Sequence, residues 1–276
     1  MKSSNLILGL MLLAFNWSLS QKIVEGQVLS EHNEPISYVN IGIINENTGT
    51  VSDINGYFKI NIDNDKLNHL LTFSSPGFEN YQVRINDIDE TKDRKFLLSS
   101  KTIKIPEVII TLKNTQDVKL GTTSYSTMVA GYVRVNNDKN KDIQEFAKEL
   151  NIKKPSKIKD IHMNLFNVIE SDKRNFRVNI YDIKDGLPNN KINTENIIID
   201  QKLQNGWNTF DVSSYHLVYD KPIFISIEYI PQIPGEPEPF RYSGKLFGKS
   251  ITRNASLGKW QTKKGLTMSI YVTVAQ

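Results

Sequence analysis

Val51-Ser52-Asp53-Ile54-Asn55-Gly56-Tyr57-Phe58-Lys59-Ile60-Asn61-Ile62 is the stretch that decides the fold class. After Asn55-Gly56 the residues alternate, with Phe58 and Ile60 on one side and polar positions between them. That is the period of a strand with one buried face. Asn-Gly between extended segments is the strongest short hairpin signal, because both residues tolerate positive φ. Asp53 stands where its carboxylate can accept from the turn backbone. The same texture continues outward. Ile23 to Val28, Tyr38 to Ile44, Leu70 to Ser74 and Tyr81 to Ile85 read as strands, with Val39 and Ile41 facing a core. Glu34-Pro35, Asn47-Thr48-Gly49 and Pro76-Gly77 read as turns. Gly26 and Gly77 fall where a side chain would crowd a bulge or turn, and Pro35 suits a turn's fixed φ. Turn signals every ten residues or so predict an all-β sandwich over this part of the chain.

Farther along, the pattern pauses and resumes. Ile103, Ile105, Val108 and Ile110 suit an edge strand interrupted by Pro106, and 114–140 is largely polar. Charge changes there as well: residues 21–113 hold 10 basic and 13 acidic side chains, and 114–276 hold 23 and 17. One short helix is expected from Asp142, because Ile143, Phe146, Ala147 and Leu150 fall at helical spacing and Pro155 lies beyond its end. Then Ile158 to Val168, Phe176 to Ile183, Asn196 to Asp200, Thr209 to Val212, Ile223 to Ile230 and Met268 to Val274 read as strands. Gly186 to Asn190 and Asn205-Gly206 read as turns. The expected organisation is a leader over 1–20, a β-sandwich over 21–103, a linker with leading strands over 104–140, and a second β-sandwich over 141–276.

The leader rests on Lys2, the apolar run Leu6 to Phe15, and Ser18-Leu19-Ser20 before Gln21. This is the pattern of a secretory signal peptide cleaved between Ser20 and Gln21, and the run is too short to span a bilayer. The chain has 276 residues, 23% of them charged and 39% hydrophobic, with net charge +4 and no cysteine. The missing cysteine excludes disulfides, thiolate metal sites, a cysteine nucleophile and a lipid-modified cysteine. The mild charge gives no reason to expect a nucleic-acid partner. The expected location is outside the cytoplasm: periplasmic, associated with the outer membrane, or secreted, with no integral membrane segment in the mature chain.

The series Gly26-x-Val28, Pro35-Ile36-x-x-Val39-x-Ile41, Gly49-Thr50-x-Ser52-Asp53-x-Asn55-Gly56-x-Phe58-x-Ile60 and Leu71-x-Phe73-Ser74-x-x-Gly77-Phe78-x-x-Tyr81 resembles the carboxypeptidase-regulatory-like domain. The resemblance covers 23–98 and implies a transthyretin-like β-sandwich. In carboxypeptidases that module accompanies a catalytic domain and is not one. Phe176 to Tyr181, Gly186-Leu187-Pro188, Gly206-Trp207, Asp211-Val212 and Ile225 to Glu228 resemble an accessory module found after this sandwich in exported bacterial proteins. That second likeness implies a jelly-roll-like fold and says little about activity.

Catalytic patterns are missing. His32, His69, His162 and His216 form neither HExxH nor HxxE, and no GxSxG, GxGxxG or P-loop occurs. Asp53-x-Asn55-Gly56 fails as a calcium loop, with glycine in the wrong place and Asn64 where a bidentate Glu belongs. Asp182, Asp185 and Asp200 are the candidates for a structural calcium. No catalytic residue, catalytic metal or cofactor is expected. Trp260, in an expected loop, and Tyr242, just after the Pro231 to Pro239 loop, are the candidates for stacking on a sugar ring; Trp207 and Trp260 would alternatively plug the ends of the sandwich. The leading expectation is a non-catalytic exported binding or scaffolding protein of the bacterial envelope, its partner an envelope protein or a glycan. A carbohydrate-binding accessory protein comes second and an unrecognised hydrolase third.

Overall fold

The computed structural model describes residues 21–89, 94–101, 115–132, 140, 144–169, 173–236 and 238–276. The leader with Ser20, and the strand expected over 103–112, lie outside the described residues.

The first part holds β1 (Gln21–Ser30), β2 (Asn40–Gly42), β3 (Gly49–Val51), β4 (Tyr57–Asp63), β5 (Leu70–Ser74), β6 (Tyr81–Arg84) and β7 (Lys95–Leu98). They form two sheets, β4-β1-β7 and β3-β2-β5-β6. Val24, Val28, Ile41, Phe58, Ile60, Leu71, Phe73 and Phe96 face one another between the sheets. Phe58 meets Phe73 and Phe96 with ring centroids 5.4 Å from each.

Asn55-Gly56 is not a hairpin. β3 and β4 belong to different sheets, so the turn is a corner that carries the chain across the sandwich. Asp53 Oδ1 accepts from the N–H groups of Asn55 at 2.9 Å and Tyr57 at 2.8 Å. Only Gly56 takes positive φ, +79°, and a Cβ there would lie 2.5 Å from the Val28 carbonyl oxygen. At Gly26 the constraint is space alone, since a Cβ would collide with the Arg94 carbonyl oxygen. Pro35 bridges back to Leu29.

The second part adds β8 (Asp117–Gly121), β9 (Ser126–Tyr132), β10 (Glu145–Leu150), β11 (Ser156–Phe166), β12 (Arg174–Lys184), β13 (Leu187–Lys191), β14 (Ile197–Gln201), β15 (Gly206–Asp211), β16 (Val218–Tyr219), β17 (Ile223–Ile230), β18 (Arg241–Arg253), β19 (Gln261–Met268) and β20 (Ile270–Ala275). One leaf runs β12-β17-β10-β18 and the other β15-β11-β20-β8. β18 belongs to both: Tyr242 pairs with Leu165 of β11, whereas Arg253 pairs with Glu145 of β10. A bulge between Leu246 and Lys249 separates the two halves, with Phe247 at φ 64° inside it. Strands that change leaf through a bulge make the corners of such sandwiches. The core between the leaves includes Phe146, Leu150, Ile161, Met163, Phe176, Val178, Ile225, Tyr229, Phe240 and Val272.

The helix expected from Asp142 is corrected. Asp142 and Ile143 lie outside the described residues, and Glu145–Leu150 is a strand paired on both sides, with β17 and with β18. Phe146 and Leu150 point into the core, a separation that two strand repeats satisfy as well as one helical turn. Two of the polar residues of this strand are also partly or fully enclosed. Glu145 is 1% exposed, and Lys148 Nζ lies 2.6 Å from Thr122 Oγ1 and 3.1 Å from Thr267 Oγ1. The turn at 186–190 is shorter than expected. Asp185 and Gly186 alone make it, with φ of 52° and 72°, and Leu187–Lys191 returns as β13.

Candidate functional site

Alternation fixes two outward faces of the second part, one covered and one open. On the covered face the strand registers set Arg177 opposite Glu228, Glu228 opposite Glu145, and Glu145 opposite Arg253. This single row crosses four strands, and its members are 0%, 1%, 1% and 6% exposed. Arg177 Nε lies 2.7 Å from Glu228 Oε2 and its Nη2 3.0 Å from Oε1. Arg253 Nε lies 2.5 Å from Glu145 Oε2. Asn179 donates to Glu145 at 2.9 Å and to Glu228 at 2.8 Å, Tyr181 donates to Glu145 at 2.9 Å, and Ser226 donates there too.

Two neighbouring buried carboxylates invite an acid–base reading, and the arginines argue against it. Burial disfavours the Glu228 charge, but the Arg177 guanidinium and its hydrogen bonds hold that carboxyl well below the usual range. Glu228 therefore offers no proton at neutral pH.

The first sandwich closes over this row. Asn40 Nδ2 donates to Glu228 Oε1 at 2.7 Å and to Ser256 Oγ at 2.8 Å. Arg177 Nη1 donates to the Tyr38 carbonyl. Lys191 Nζ, from β13, donates to Asn40 Oδ1 at 3.2 Å. The Lys191 amine is pushed down to about 7, by burial first and by the Arg177 charge second. Backbones also meet: a Cβ on Gly42 or Gly49 would lie 2.6 or 2.7 Å from the Ser256 carbonyl oxygen. Beside this contact runs an open groove of about 660 Å³, with Ser37, Tyr38 and Ile54 on one wall and Asn175, Asn196 and Asp200 on the other.

The open face lies on the opposite leaf. Its strands β15, β11, β20 and β8 turn Trp207 and Thr209, His162, Tyr271 and Thr273, and Lys119 outward side by side. Trp207 meets Tyr271 at a centroid distance of 4.9 Å and 71° between ring planes. His162 stacks on Tyr271 at 4.2 Å, and Lys119 Nζ lies 5.3 Å from the centroid of that same ring. Tyr125, 56% exposed, stands edge-on to Trp207 at 6.0 Å. The two nitrogens of His162 bond Thr209 Oγ1 at 2.9 Å and Thr273 Oγ1 at 2.8 Å. Burial, aided by Lys119 and opposed by Asp160, lowers the imidazole pKa, so the ring is neutral at pH 7. The result is an aromatic patch in which Trp207 and Tyr125 reach the surface while Tyr271, 9% exposed, lies beneath them, with hydroxyls and a cation at its border.

The pair expected to stack on a sugar does not form. Tyr242 is 1% exposed, between Phe146 at 4.7 Å and Phe240 at 5.3 Å. Its strand β18 faces the core at that point, which the adjacent proline-rich loop disguised. Trp260 is half-buried, edge-on to Tyr181 at 5.7 Å and 4.7 Å from the Arg253 guanidinium. It closes one side of the charged row. The candidate calcium ligands are apart in role: Asp182 accepts from Asn190 N–H at 2.7 Å, Asp200 pairs with Lys173 at 3.1 Å, and Asp185 sits in a turn. Among the described residues no three His, Asp or Glu side chains are placed to hold a metal ion. Sequence reading passed over Trp207, Tyr271 and His162 as a group. Their alternation with Thr209 and Thr273 was visible, but which strands lie side by side was not.

Residues 24–110 match the family model of the CarboxypepD_reg-like domain. The first sandwich is therefore a carboxypeptidase-regulatory-like domain, a non-catalytic module, and it points to a binding or scaffolding role. No curated protein matches the chain. Similar solved structures include the cysteine protease and lectin-like domains of a surface layer associated protein of Clostridium difficile, with 9% identity and a TM-score of 0.41, covering 86% of this chain and 58% of that one. The clostridial protease after propeptide cleavage gives 10% identity and 0.40, with 86% and 65% covered. An infectious bursal disease virus structure gives 11% and 0.27, with 93% and 63% covered. The chain thus spans less than two thirds of each of these structures.

Proposed function

We propose that this chain is a non-catalytic, exported binding protein of the bacterial envelope, and that its ligand is a glycan laid on the open face around Trp207. The carrying observation is the aromatic patch formed by half-buried Trp207 and exposed Tyr125, seated on the buried Tyr271, with Thr209, Thr273 and Lys119 nearby. Sugar rings present C–H groups to the negative face of an aromatic ring and hydroxyls to polar side chains at its rim. On the sheet, Trp207 and the two threonines are held more rigidly than they would be on a loop, which lowers the ordering cost of binding. The signal-peptide pattern over 1–20 supports export. The neutral His162 ring serves the patch by bracing Thr209 and Thr273 from beneath.

A glycan array probed with the purified protein tests this reading. Binding should appear and should fall at least tenfold in Trp207→Ala, with a smaller loss in Tyr125→Ala and none in Trp260→Ala. An array without a hit, or a hit indifferent to Trp207, would reject the glycan and leave the protein-partner reading in its place.

A further inference from the structure

Lys191, half-buried on β13, reaches the edge of the buried row. Arg177, Arg253, Glu228 and Glu145 already balance one another. A protonated Lys191 would bring a fifth, unmatched charge beside that row, and partial burial penalises that form. Its hydrogen-bond partner is the neutral amide oxygen of Asn40, 3.2 Å away. Asn40 is 0% exposed, and its amide is held from the other side by Glu228 at 2.7 Å and Ser256 at 2.8 Å. A half-buried amine, a fixed primary amide and a carboxylate on the amide nitrogen thus converge where the two sandwiches meet.

We propose that Lys191 and Asn40 join in an intramolecular isopeptide bond, a covalent clasp between the first sandwich and the β12–β13 hairpin. The lone pair of Lys191 Nζ adds to Asn40 Cγ, forming the Nζ–Cγ bond. The proton freed from Nζ passes to Nδ2 within the tetrahedral adduct, while Glu228 keeps its charge and holds the amide in place. The Cγ–Nδ2 bond then breaks and ammonia leaves. One amide replaces another, no electron changes hands, and no co-reactant is consumed. Proximity drives the step: two groups held at contact distance react with an effective concentration no free amine reaches. The pKa of the half-buried amine, lowered to about 7, leaves a large nucleophilic fraction at neutral pH.

Peptide mapping of the purified full chain decides the matter. The expected result is a branched peptide joining the segments around Asn40 and Lys191, lighter by one ammonia, about 17 Da. Because an N-terminal Gln21 also loses ammonia on cyclising, the branched peptide is decisive and the intact mass is not. Lys191→Met and Asn40→Ala should abolish it. Wild-type protein with a folded spectrum that yields unlinked Asn40 and Lys191 peptides at full mass would overturn the proposal. That readout does not depend on either variant folding, nor on whether the open face binds a glycan.

Discussion

Phe58, Gly56 and Asn55 sit within four positions of one another and carry unequal loads. Phe58 fills the space between Phe73 and Phe96, so Phe58→Ala should cost about 3–5 kcal/mol. Gly56→Val meets both a positive φ and the Val28 carbonyl, and should cost at least the roughly 1–2 kcal/mol of left-handed strain. Asn55 is exposed and lacks positive φ, so Asn55→Asp should stay within about 0.5 kcal/mol. Urea titrations of the full chain would rank them, and a mild Phe58→Ala would contradict the core. Lys191 gives a pH signature. Its folded pKa of about 7 lies below the roughly 10.4 of an unfolded lysine. Between those values the unfolded chain binds a proton that the folded chain does not, so stability should rise with pH. Above about pH 10 the sign reverses, because burial raises the pKa of Tyr219 to about 12 and also raises those of Tyr229 and Tyr242. Unfolding midpoints followed from neutral into alkaline solution should therefore pass through a maximum. If the Lys191–Asn40 bond forms, the rising limb disappears.

At the scale of the element, β10 shows where sequence reading works and where it stops. β1, β4, β5, β6 and β17 were legible because one apolar face, or a fully apolar run such as Ile223 to Ile230, leaves little choice. In Glu145–Leu150 the letters Glu, Ala, Lys, Glu and Leu are all good helix formers, yet the segment is a central strand. What overrides propensity is non-local: Arg253 and Tyr181 receive Glu145, and Thr122 and Thr267 receive Lys148. None of these partners lies within twenty residues of the carboxylate or amine it meets. β18 was missed for a related reason, since Gly244, Lys245, Gly248 and Lys249 break its pattern while it crosses between leaves. Ala147 pairs with Ser226 on one side and Ile251 on the other. Ala147→Pro should therefore interrupt two ladders and cost about 3 kcal/mol or more, whereas Lys148→Met should be tolerated within about 1.5 kcal/mol. Thermal melts of the two variants would show the contrast, and an Ala147→Pro variant that melts like the wild type would mean β10 is not central.

At the scale of the whole molecule, the two sandwiches share a wall. Val51 packs on Ile230, with Tyr38 and Ile198 against them, and Asn61 exchanges backbone and side-chain bonds with buried Asn140. A fragment covering 21–112 should fold with a β-type spectrum, because its own core is closed. It should melt below the transition of the same residues in the full chain, since Tyr38, Asn40 and Val51 would lose their cover. Equal midpoints would show that the shared wall adds no stability. The row of Arg177, Glu228, Glu145 and Arg253 has a consequence for descent. Removing one member strands a charge in the interior, at about 3–5 kcal/mol, while exchanging the whole set for packed apolar side chains is often neutral. These four positions should therefore be inherited together. Relatives should keep all four charges or none, and intermediates with two or three should be rare enough that the row marks lineages sharing this junction.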